Sequence, residues 1–340
     1  MIRCPSISFD HQIHRRQRWG GISRYYQELQ QGLLRRGVSV LPWKGSVRRQ
    51  AKILHATFYG GQPHRLLAHQ RLVSNLHDMT PERHPEHFFS LGGLRSPHAN
   101  KLTWLAASDL IVSVSAASAD DLSFFWPQLT TPLQVIHLAT SLDLVPPQPV
   151  DELAGQRFWL MVGKRHAYKN GLTVLRALAL LRHNNHRSSH LPVLVCAGGG
   201  PWRRKEQAWL QSHGLNTAVR QLPAHDPQLA WLYRHAEAVL VPSLAEGFSL
   251  PLIEALACNT PVLASDLEVH REVAGSYATL LPALNARAWA DALATAARQP
   301  FPSPQEALSP ERWQALRQHY RVQRLLNDHI AVYTKLHAGR

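Results

Sequence analysis

Cysteine is scarce in this sequence, and the three cysteines form no recognisable site. Cys4, Cys196 and Cys258 lie far apart among 340 residues and lack the spacing of metal ligands. This usage is typical of buried, reduced thiols in a cytoplasmic protein. We therefore expect neither a disulfide nor a structural zinc ion.

Long hydrophobic runs are missing as well. No segment approaches the roughly 18 to 20 apolar residues of a membrane-spanning helix. The opening residues, MIRCPSISFDHQIHRRQRW, also lack the apolar core of a signal peptide. The hydrophobic content of 45% is ordinary for a globular protein, and 340 residues are long for a single core. The sequence thus indicates a soluble protein of two domains.

Acidic residues are few compared with basic ones. The chain has 23 Asp and Glu residues against 37 Lys and Arg residues, a formal net charge of +14. Such a surface suits nucleic acid, the anionic face of a membrane or phosphorylated small molecules. The basic residues are scattered in short groups, so a solvated basic surface without a specific partner is an equally simple interpretation.

Short β-branched runs alternate with helical patterns along the chain, which is typical of parallel α/β architecture. In the first half, the predicted strands are CPSISF, VSVLPW, KILHAT, RLVSNLH, DLIVSVS and LQVIHLA. Gly37 closes an amphipathic helix whose apolar residues recur at helical spacing. These residues are Ile22, Tyr25, Tyr26, Leu29, Leu33 and Leu34.

Three prolines in LVPPQPV, residues 144–150, predict a linker. Beyond it, FWLMVG, LPVLVCAG, AVLVPS and TPVLAS predict buried strands, with helices at about 170–183, 202–213, 226–236 and 250–258. We therefore predict two Rossmann-like parallel-sheet domains, 1–145 and 146–305, that face a cleft, and a helical tail, 306–340, that packs back on the first domain. Functional residues should follow the carboxyl ends of the strands.

One such place is EGFSLPLIE, residues 246–254, where a turn leads from a strand into a helix. Pro251 suits the first helical turn, and Gly247 permits close backbone approach. The N–H groups at Phe248, Ser249 and Leu250, with the positive end of the helix dipole, favour an anion such as a nucleoside diphosphate.

The two carboxylates of this segment suit hydroxyl partners. Glu246 would accept hydrogen bonds from a sugar beyond the phosphates, and Glu254 from a ribose. The simpler alternative is that Glu254 only complements the helix dipole and Glu246 is a solvated loop charge.

A second candidate, MVGKRHAYKNG, also follows a predicted strand. Arg165 and Lys169 could neutralise a diphosphate and stabilise it as a leaving group, although a basic loop without function is the alternative. VCAGGGP, after another strand, permits close backbone approach, but a G-x-G-x-x-G dinucleotide motif is absent.

These motifs together resemble glycosyltransferase family 4, whose members are retaining GT-B enzymes. The resemblance rests on EGFSLPLIE as the family's E-x7-E element, on VGKRHAYKNG and VCAGGGP before it, and on RWGGISRYYQEL and LHDMTPERHPEHF in the first half. It covers nearly the whole chain. Two departures are Ala139–Thr140, where relatives usually have a glycine-containing turn, and Ser249 in place of a frequent glycine.

The resemblance implies roles for individual residues. It assigns catalytic roles to His77, Asp78, Arg165, Lys169 and Glu246. It assigns donor binding to Gly20, Gly21, Gly163, Arg165, Lys169, Gly199, Leu222, Pro223, Ala224, Glu246, Gly247, Phe248, Ser249, Leu250 and Glu254. A strand-end cap is the alternative for the His77–Asp78 pair.

The implied activity is transfer of a hexose from a nucleoside diphosphate sugar to a hydroxyl of a glycan or lipid-linked acceptor, with retention at the anomeric carbon. No D-x-D motif occurs in the sequence, so we expect no metal and no other cofactor. A nucleotide-sugar epimerase or a sugar phosphorylase on the same fold remains an alternative. A nucleic-acid-binding protein is a further one, although no nucleic-acid motif occurs. We expect a cytoplasmic protein whose basic surface suits the inner membrane face.

Overall fold

The computed structural model describes residues 4–16, 20–88, 98–184 and 191–339. Arg18 and Trp19 of the RWGGISRYYQEL motif lie outside the described residues. The chain divides into two compact units. The first comprises Met1–Ala139 with Gln318–Arg340, and the second comprises Thr140–Arg317.

The first unit contains a five-stranded parallel sheet, in the order β1-β2-β3-β4-β5. Its strands are β1 (Ile7–Phe9), β2 (Ile53–Ala56), β3 (Arg71–Leu76), β4 (Leu110–Ser113) and β5 (Leu133–Val135). Its first five helices are α1 (Gln12–Arg16), α2 (Gly21–Arg35), α3 (Thr80–Arg83), α4 (Lys101–Ala106) and α5 (Ala116–Phe125). Five of the six strands predicted for this half are thereby confirmed.

The sixth predicted strand, VSVLPW, is wrong. Within the described residues this segment makes a single parallel bridge to β1, between Val40 and Ile7. Its two hydrogen bonds run from the N–H of Ile7 to the Ser39 carbonyl and from the N–H of Leu41 to the Ile7 carbonyl. Proline fixes φ near about −65°, far from the φ of about −120° of a parallel strand, so the segment leaves β1 at Pro42.

The second unit contains a six-stranded parallel sheet, in the order β11-β10-β9-β6-β7-β8. Its strands are β6 (Phe158–Val162), β7 (Val193–Ala197), β8 (Val219–Leu222), β9 (Ala238–Val241), β10 (Val262–Ser265) and β11 (Ala278–Leu281). Its helices are α6 (Gly171–Asn184), α7 (Arg204–Ser212), α8 (Asp226–His235), α9 (Leu250–Ala257), α10 (Glu268–Ala274), α11 (Ala286–Arg298), α12 (Pro304–Ala307) and α13 (Pro310–His319), the last of which ends two residues past the unit boundary at Arg317.

The sequence did not predict β8 and β11, which form the two edges of this sheet. Edge strands are covered on fewer sides, and most residues of β8 and all of β11 are half-buried. They therefore lack the continuous apolar run that identified β6, β7, β9 and β10.

The unit boundaries differ from the predicted domain limits of 145 and 305 because both junction segments pack on the second unit. The N–H of Gln148, in the proline-rich segment, donates to the Pro227 carbonyl at 3.0 Å. Near the other limit, Arg317 lies 2.9 Å from the carboxylate of Asp143.

The last helix, α14 (Val322–Ala338), belongs to the first unit and packs against α2. A Cβ at Gly32 of α2 would lie 2.6 Å from the Leu326 side chain, so the missing side chain permits the close approach of the two helices. Tyr25 and His329 join the same helices by a hydrogen bond of 2.9 Å. Leu34, predicted on the buried face, is instead 54% exposed.

Candidate functional site

In the second unit, the loops after β6, β7 and β9 follow the carboxyl ends of the central strands, where the strand order reverses. Open parallel sheets bind ligands at such a point. Two of these loops touch directly, because a Cβ at Gly199 would lie 2.2 Å from the carbonyl oxygen of Gly163. Gly199 also has a φ of +71°, so glycine is needed there for two independent reasons.

Lys169 and Glu246 form an ion pair between the β6 and β9 loops. The Lys169 ammonium lies 2.7 and 2.8 Å from the two carboxylate oxygens of Glu246. The Ser243 hydroxyl donates to Oε1 of the same carboxylate at 2.6 Å. The E-x7-E segment and the basic loop, recognised separately in the sequence, thus meet in the structure.

The α9 helix begins immediately after this pair. Ser249 precedes its first residue, Leu250, and Pro251 lies in the first turn as predicted. Ser249 has a left-handed backbone with a φ of 81°, is 5% exposed, and its buried hydroxyl has no hydrogen-bond partner among the described residues. A buried, unpaired hydroxyl at the positive end of a helix is suited to an anionic oxygen.

Glu254 lies further along α9 and is only 4% exposed. Its Oε2 accepts a hydrogen bond from the Tyr233 hydroxyl of α8 at 2.7 Å. Glu254 is the fifth residue of the helix, beyond the first turn in which a carboxylate complements the helix dipole most strongly. A carboxylate is rarely buried without a specific partner, and the tyrosine is one.

Arg165 contacts the glycine loop after β7. It is 3% exposed, and its guanidinium donates to the carbonyls of Gly198 at 3.2 Å and Gly200 at 3.0 Å. The same group lies 4.3 Å from the Trp202 ring centre and 3.5 Å from a carboxylate oxygen of Glu206. Arg165 therefore fixes the shape of this loop, whereas Lys169 pairs with the β9 loop.

Leu222, Pro223 and Ala224, expected beside the nucleobase, follow the carboxyl end of β8. The Leu222 carbonyl accepts the N–H of Gly198 at 2.9 Å. This bond places the start of the segment next to the glycine loop.

In the first unit, Gly20 and Gly21 form the start of α2 as predicted. Gly20 has φ 151° and ψ 173°, a conformation that is essentially restricted to glycine. Its carbonyl accepts the Ser23 hydroxyl at 3.0 Å.

His77 lies just after β3 with its imidazole turned into the core. The side chain is buried, and Nε2 lies 3.2 Å from the Tyr26 hydroxyl. Burial lowers the pKa of His77 to about 4, so the ring is neutral at pH 7.

Asp78, the next residue, is only half-buried. Its Oδ1 accepts the N–H of Thr80 at 3.0 Å. Burial raises the pKa of Asp78, but Lys101, His98 and the Thr80 N–H outweigh that effect and hold it below its ordinary value. Asp78 is therefore an anion at neutral pH.

Comparison with known proteins shows which protein family this chain resembles. Residues 148–311 match the family profile described as Glycosyl transferases group 1. The chain is 28% identical to the O-antigen chain mannosyltransferase B of Escherichia coli over 227 residues, 63% of this chain and 57% of that protein. It is 34% identical to the D-inositol 3-phosphate glycosyltransferase of Corynebacterium jeikeium over 140 residues, 39% of this chain and 33% of that protein. The chain thus spans less than two thirds of either relative.

Solved structures resemble the whole chain. Sucrose-phosphate synthase from Thermosynechococcus elongatus matches with a TM-score of 0.75 and 17% identity, covering 99% of this chain and 100% of that one. Anabaena HepE in complex with UDP-glucose matches with a TM-score of 0.65 and 17% identity, covering 97% and 99%. The chain has the GT-B fold, and its residues 148–311 are similar to glycosyltransferases of group 1. The GT-B fold expected from the sequence is confirmed.

Several contacts in this GT-B protein were not recognised from sequence. Ser243, Trp202 and Tyr233 support the E-x7-E and glycine loops, and Tyr26 and Lys101 support the His77–Asp78 segment. Lys101 gave a usable signal, because a lone lysine among the apolar residues of KLTWLA is unusual. The other four required the fold.

Within the part of the GT-B protein that the structure describes, one group of side chains has the mutual distances of metal ligands. It comprises His84, Glu86 and His87 of the first unit, whose ligand atoms lie within 4.8 Å of one another. Glu86 is 60% exposed. The residues of the loops after β6, β7 and β9 in the second unit are not part of this group.

No helix among the described residues is both long and apolar enough to span a membrane.

Proposed function

We propose that this protein transfers a hexose from a nucleoside diphosphate sugar to a hydroxyl group, with retention at the anomeric carbon. The observation that carries the proposal is the Lys169–Glu246 pair beside the start of α9. There the ammonium lies 2.7 Å from the carboxylate, and the carboxylate belongs to the turn that leads into α9. This combination suits a ligand that joins a diphosphate to a sugar.

Each group has a task in the proposed reaction. The Lys169 ammonium and the amino end of α9 hold the diphosphate and stabilise the charge that develops as it departs. Glu246 accepts hydroxyls of the transferred sugar, and Glu254 accepts those of the ribose. Arg165 holds the glycine loop against which the nucleotide lies.

The bond from the anomeric carbon to the leaving phosphate oxygen breaks, and a bond to the acceptor oxygen forms on the same face of the sugar. The acceptor proton passes to the departing phosphate oxygen, so no separate base is required. In this proposal Asp78, ionised at neutral pH, orients the acceptor. His77 lies next to it as a neutral imidazole. The positive charge at the diphosphate comes from Lys169 and the helix end, so the proposed reaction is independent of metal.

The comparisons support a hexose donor and a glycan acceptor. The Escherichia coli relative is named as a mannosyltransferase, and HepE was solved with UDP-glucose. Both facts belong to those proteins. The net charge of +14 favours an acceptor that is anionic or lies at an anionic membrane surface.

The decisive experiment is a ligand screen followed by a transfer assay. Thermal shifts with UDP, GDP, ADP and their hexose conjugates should identify one base, because a ligand that binds the native state raises the apparent stability. Incubating that donor with candidate acceptors should release nucleoside diphosphate and form an α-linked product from an α-linked donor. An epimerised donor, a sugar phosphate, or no response to any nucleotide would contradict the proposal.

Membrane binding is tested separately by flotation with anionic vesicles over a salt series. Lack of binding at low salt would contradict a membrane-associated acceptor and leave the soluble glycan as the proposed acceptor.

A further inference from the structure

Lys101 is a buried lysine in the first unit. Its side chain is 1% exposed, and Nζ donates to the Asp78 carbonyl at 2.8 Å and to the Glu82 carboxylate at 2.7 Å. The ammonium also lies 3.9 Å from the sulfur of Met79 and 5.9 Å from the centre of the Tyr59 ring. One cation thereby binds a segment, residues 78–82, that links the end of β3 to α3.

The free energy of folding gives little reason to bury the Lys101–Glu82 ion pair. Removing two charges from water is costly, and well-packed apolar side chains of similar volume usually replace a buried ion pair without loss. The Lys101 ammonium contacts the main chain of Asp78 itself, while the Asp78 carboxylate is fixed separately by the Thr80 N–H. The contacts specify one conformation of Asp78.

We propose that Lys101, held by Glu82, is a positioning residue that fixes the main chain of Asp78, and through it the place of the Asp78 carboxylate, for the transfer reaction. This inference rests on the proposed function. In this proposal Lys101 does not contact the substrate and acts only through Asp78. Glu82 balances the buried ammonium, so that its charge is stabilised in the core.

Five charged or titratable side chains, from several elements of the first unit, surround Asp78. His77 is adjacent in sequence, His98 precedes α4, Lys101 lies on α4, and Tyr59 and Glu82 flank the ammonium. Among the groups that act on Asp78, Lys101 is the largest charge favouring the carboxylate form. Loss of that charge should therefore make Asp78 easier to protonate.

The test compares Lys101→Met with Lys101→Gln, which removes the charge but keeps a hydrogen-bond donor, and with Lys44→Met at an exposed lysine of the same unit. The first measurement is the titration of the Asp78 carboxyl carbon by NMR in protein labelled with [13C]aspartate. The signal is identified by its absence in Asp78→Asn. We expect its pKa to rise by about one unit or more in both Lys101 variants and to be unchanged in Lys44→Met.

The second measurement is steady-state kinetics with the donor found in the ligand screen. We expect kcat to fall about tenfold to hundredfold in Lys101→Met, with KM for the donor unchanged, and to recover partly in Lys101→Gln. The acidic limb of the pH profile of kcat should move to higher pH in both variants.

An unshifted Asp78 titration with a kcat equal to that of the wild type would overturn the proposal, as would a loss of activity that only follows the folded fraction. If Lys101→Met does not fold, Lys101→Gln decides by the same two measurements. A wild-type protein without transfer activity would refute the proposed function and this role in transfer with it. The titration would then still decide whether Lys101 holds Asp78 ionised.

Discussion

The Lys169 ammonium lies 2.7 and 2.8 Å from the two carboxylate oxygens of Glu246, so each group keeps the other in place beside the start of α9. This pair joins a loop that follows β6 to a loop that follows β9. It holds a cation beside the start of α9, and in the proposed reaction its carboxylate accepts hydroxyls of the sugar.

Replacement of Lys169 by alanine should lower kcat by about a hundredfold or more, because the variant loses the charge that stabilises the departing diphosphate. Steady-state transfer kinetics measure this effect. Lys205→Ala, at an exposed position of α7, is the matched control and should behave as wild type. Unchanged kinetics in Lys169→Ala would contradict the assignment of Lys169 as the cation that binds the diphosphate.

Gly199→Ala should unfold the glycine loop or distort it enough to abolish nucleotide binding. The added Cβ would lie 2.2 Å from the Gly163 carbonyl oxygen. We expect a loss of about 2–3 kcal/mol in the free energy of unfolding, from the clash together with the left-handed backbone. Denaturant unfolding and nucleotide-induced thermal shift are the measurements.

Gly200→Ala is the control for Gly199→Ala. Gly200 has a similar φ of +78° but nothing within 4 Å of an added Cβ, so this variant pays only for the backbone. If the free energy of unfolding falls equally in the two variants, the contact with Gly163 does not contribute to stability.

Ser249→Gly should raise the free energy of unfolding by up to about 1 kcal/mol, because glycine adopts the φ of 81° without steric cost. Ser249→Ala removes the same hydroxyl but keeps the strain, so it separates the two effects. If the buried hydroxyl contacts the donor, both variants should bind nucleotide more weakly than wild type. Stabilisation by alanine equal to that by glycine would contradict the strain argument.

Acid should destabilise the first unit well before the carboxylates titrate. Burial lowers the pKa of His55 to about 3 and those of His77 and His329 to about 4. In the unfolded chain the same histidines take up protons near pH 6.5. The unfolded state thus binds more protons below that pH, and stability falls as the pH drops from about 6.5 towards 4.

At pH 5 the loss should be up to about 2 kcal/mol for each of the three histidines. Chemical denaturation monitored between pH 7.5 and 5 measures it. His329→Gln should show a pH slope that is shallower than that of the wild type by about one proton. A flat profile in the wild type would mean that these rings are not buried as neutral groups.

Transfer should persist after treatment with EDTA, since Lys169 and the amino end of α9 supply the positive charge at the diphosphate. Activity assays before and after chelation give the comparison. Complete loss of activity that magnesium restores would contradict metal independence. The same assay on His84→Ala, with and without added zinc, shows whether the surface histidine group affects the measurement.

Sequence alone predicted the elements whose pattern is local. The apolar runs FWLMVG and LPVLVCAG appear as β6 and β7, and the helix at EGFSLPLIE starts at Leu250 with Pro251 in its first turn. The residue types within each short segment determine whether it forms a buried strand or begins a helix, so the local sequence is sufficient to predict these elements. The two edge strands of the second sheet were missed because their residues face solvent on one side.

The site was predictable as a set of loops but not as a set of contacts. Two motifs 77 residues apart in sequence supply Lys169 and Glu246, and their order along the chain does not show that they pair with each other. Arg165 appeared equivalent to Lys169 in sequence, yet its guanidinium binds carbonyls of the glycine loop. Such partners depend on which strands are neighbours in the sheet, and that is set by tertiary structure.

The return of α14 to the first unit has a consequence for biosynthesis. On the ribosome, β1 to β5 emerge long before the helix that carries Leu326 and His329, whereas Thr140–Arg317 is a continuous segment that is complete before that helix appears. The sheet of the first unit must therefore wait for α14, with the surface around Gly32 uncovered in the meantime.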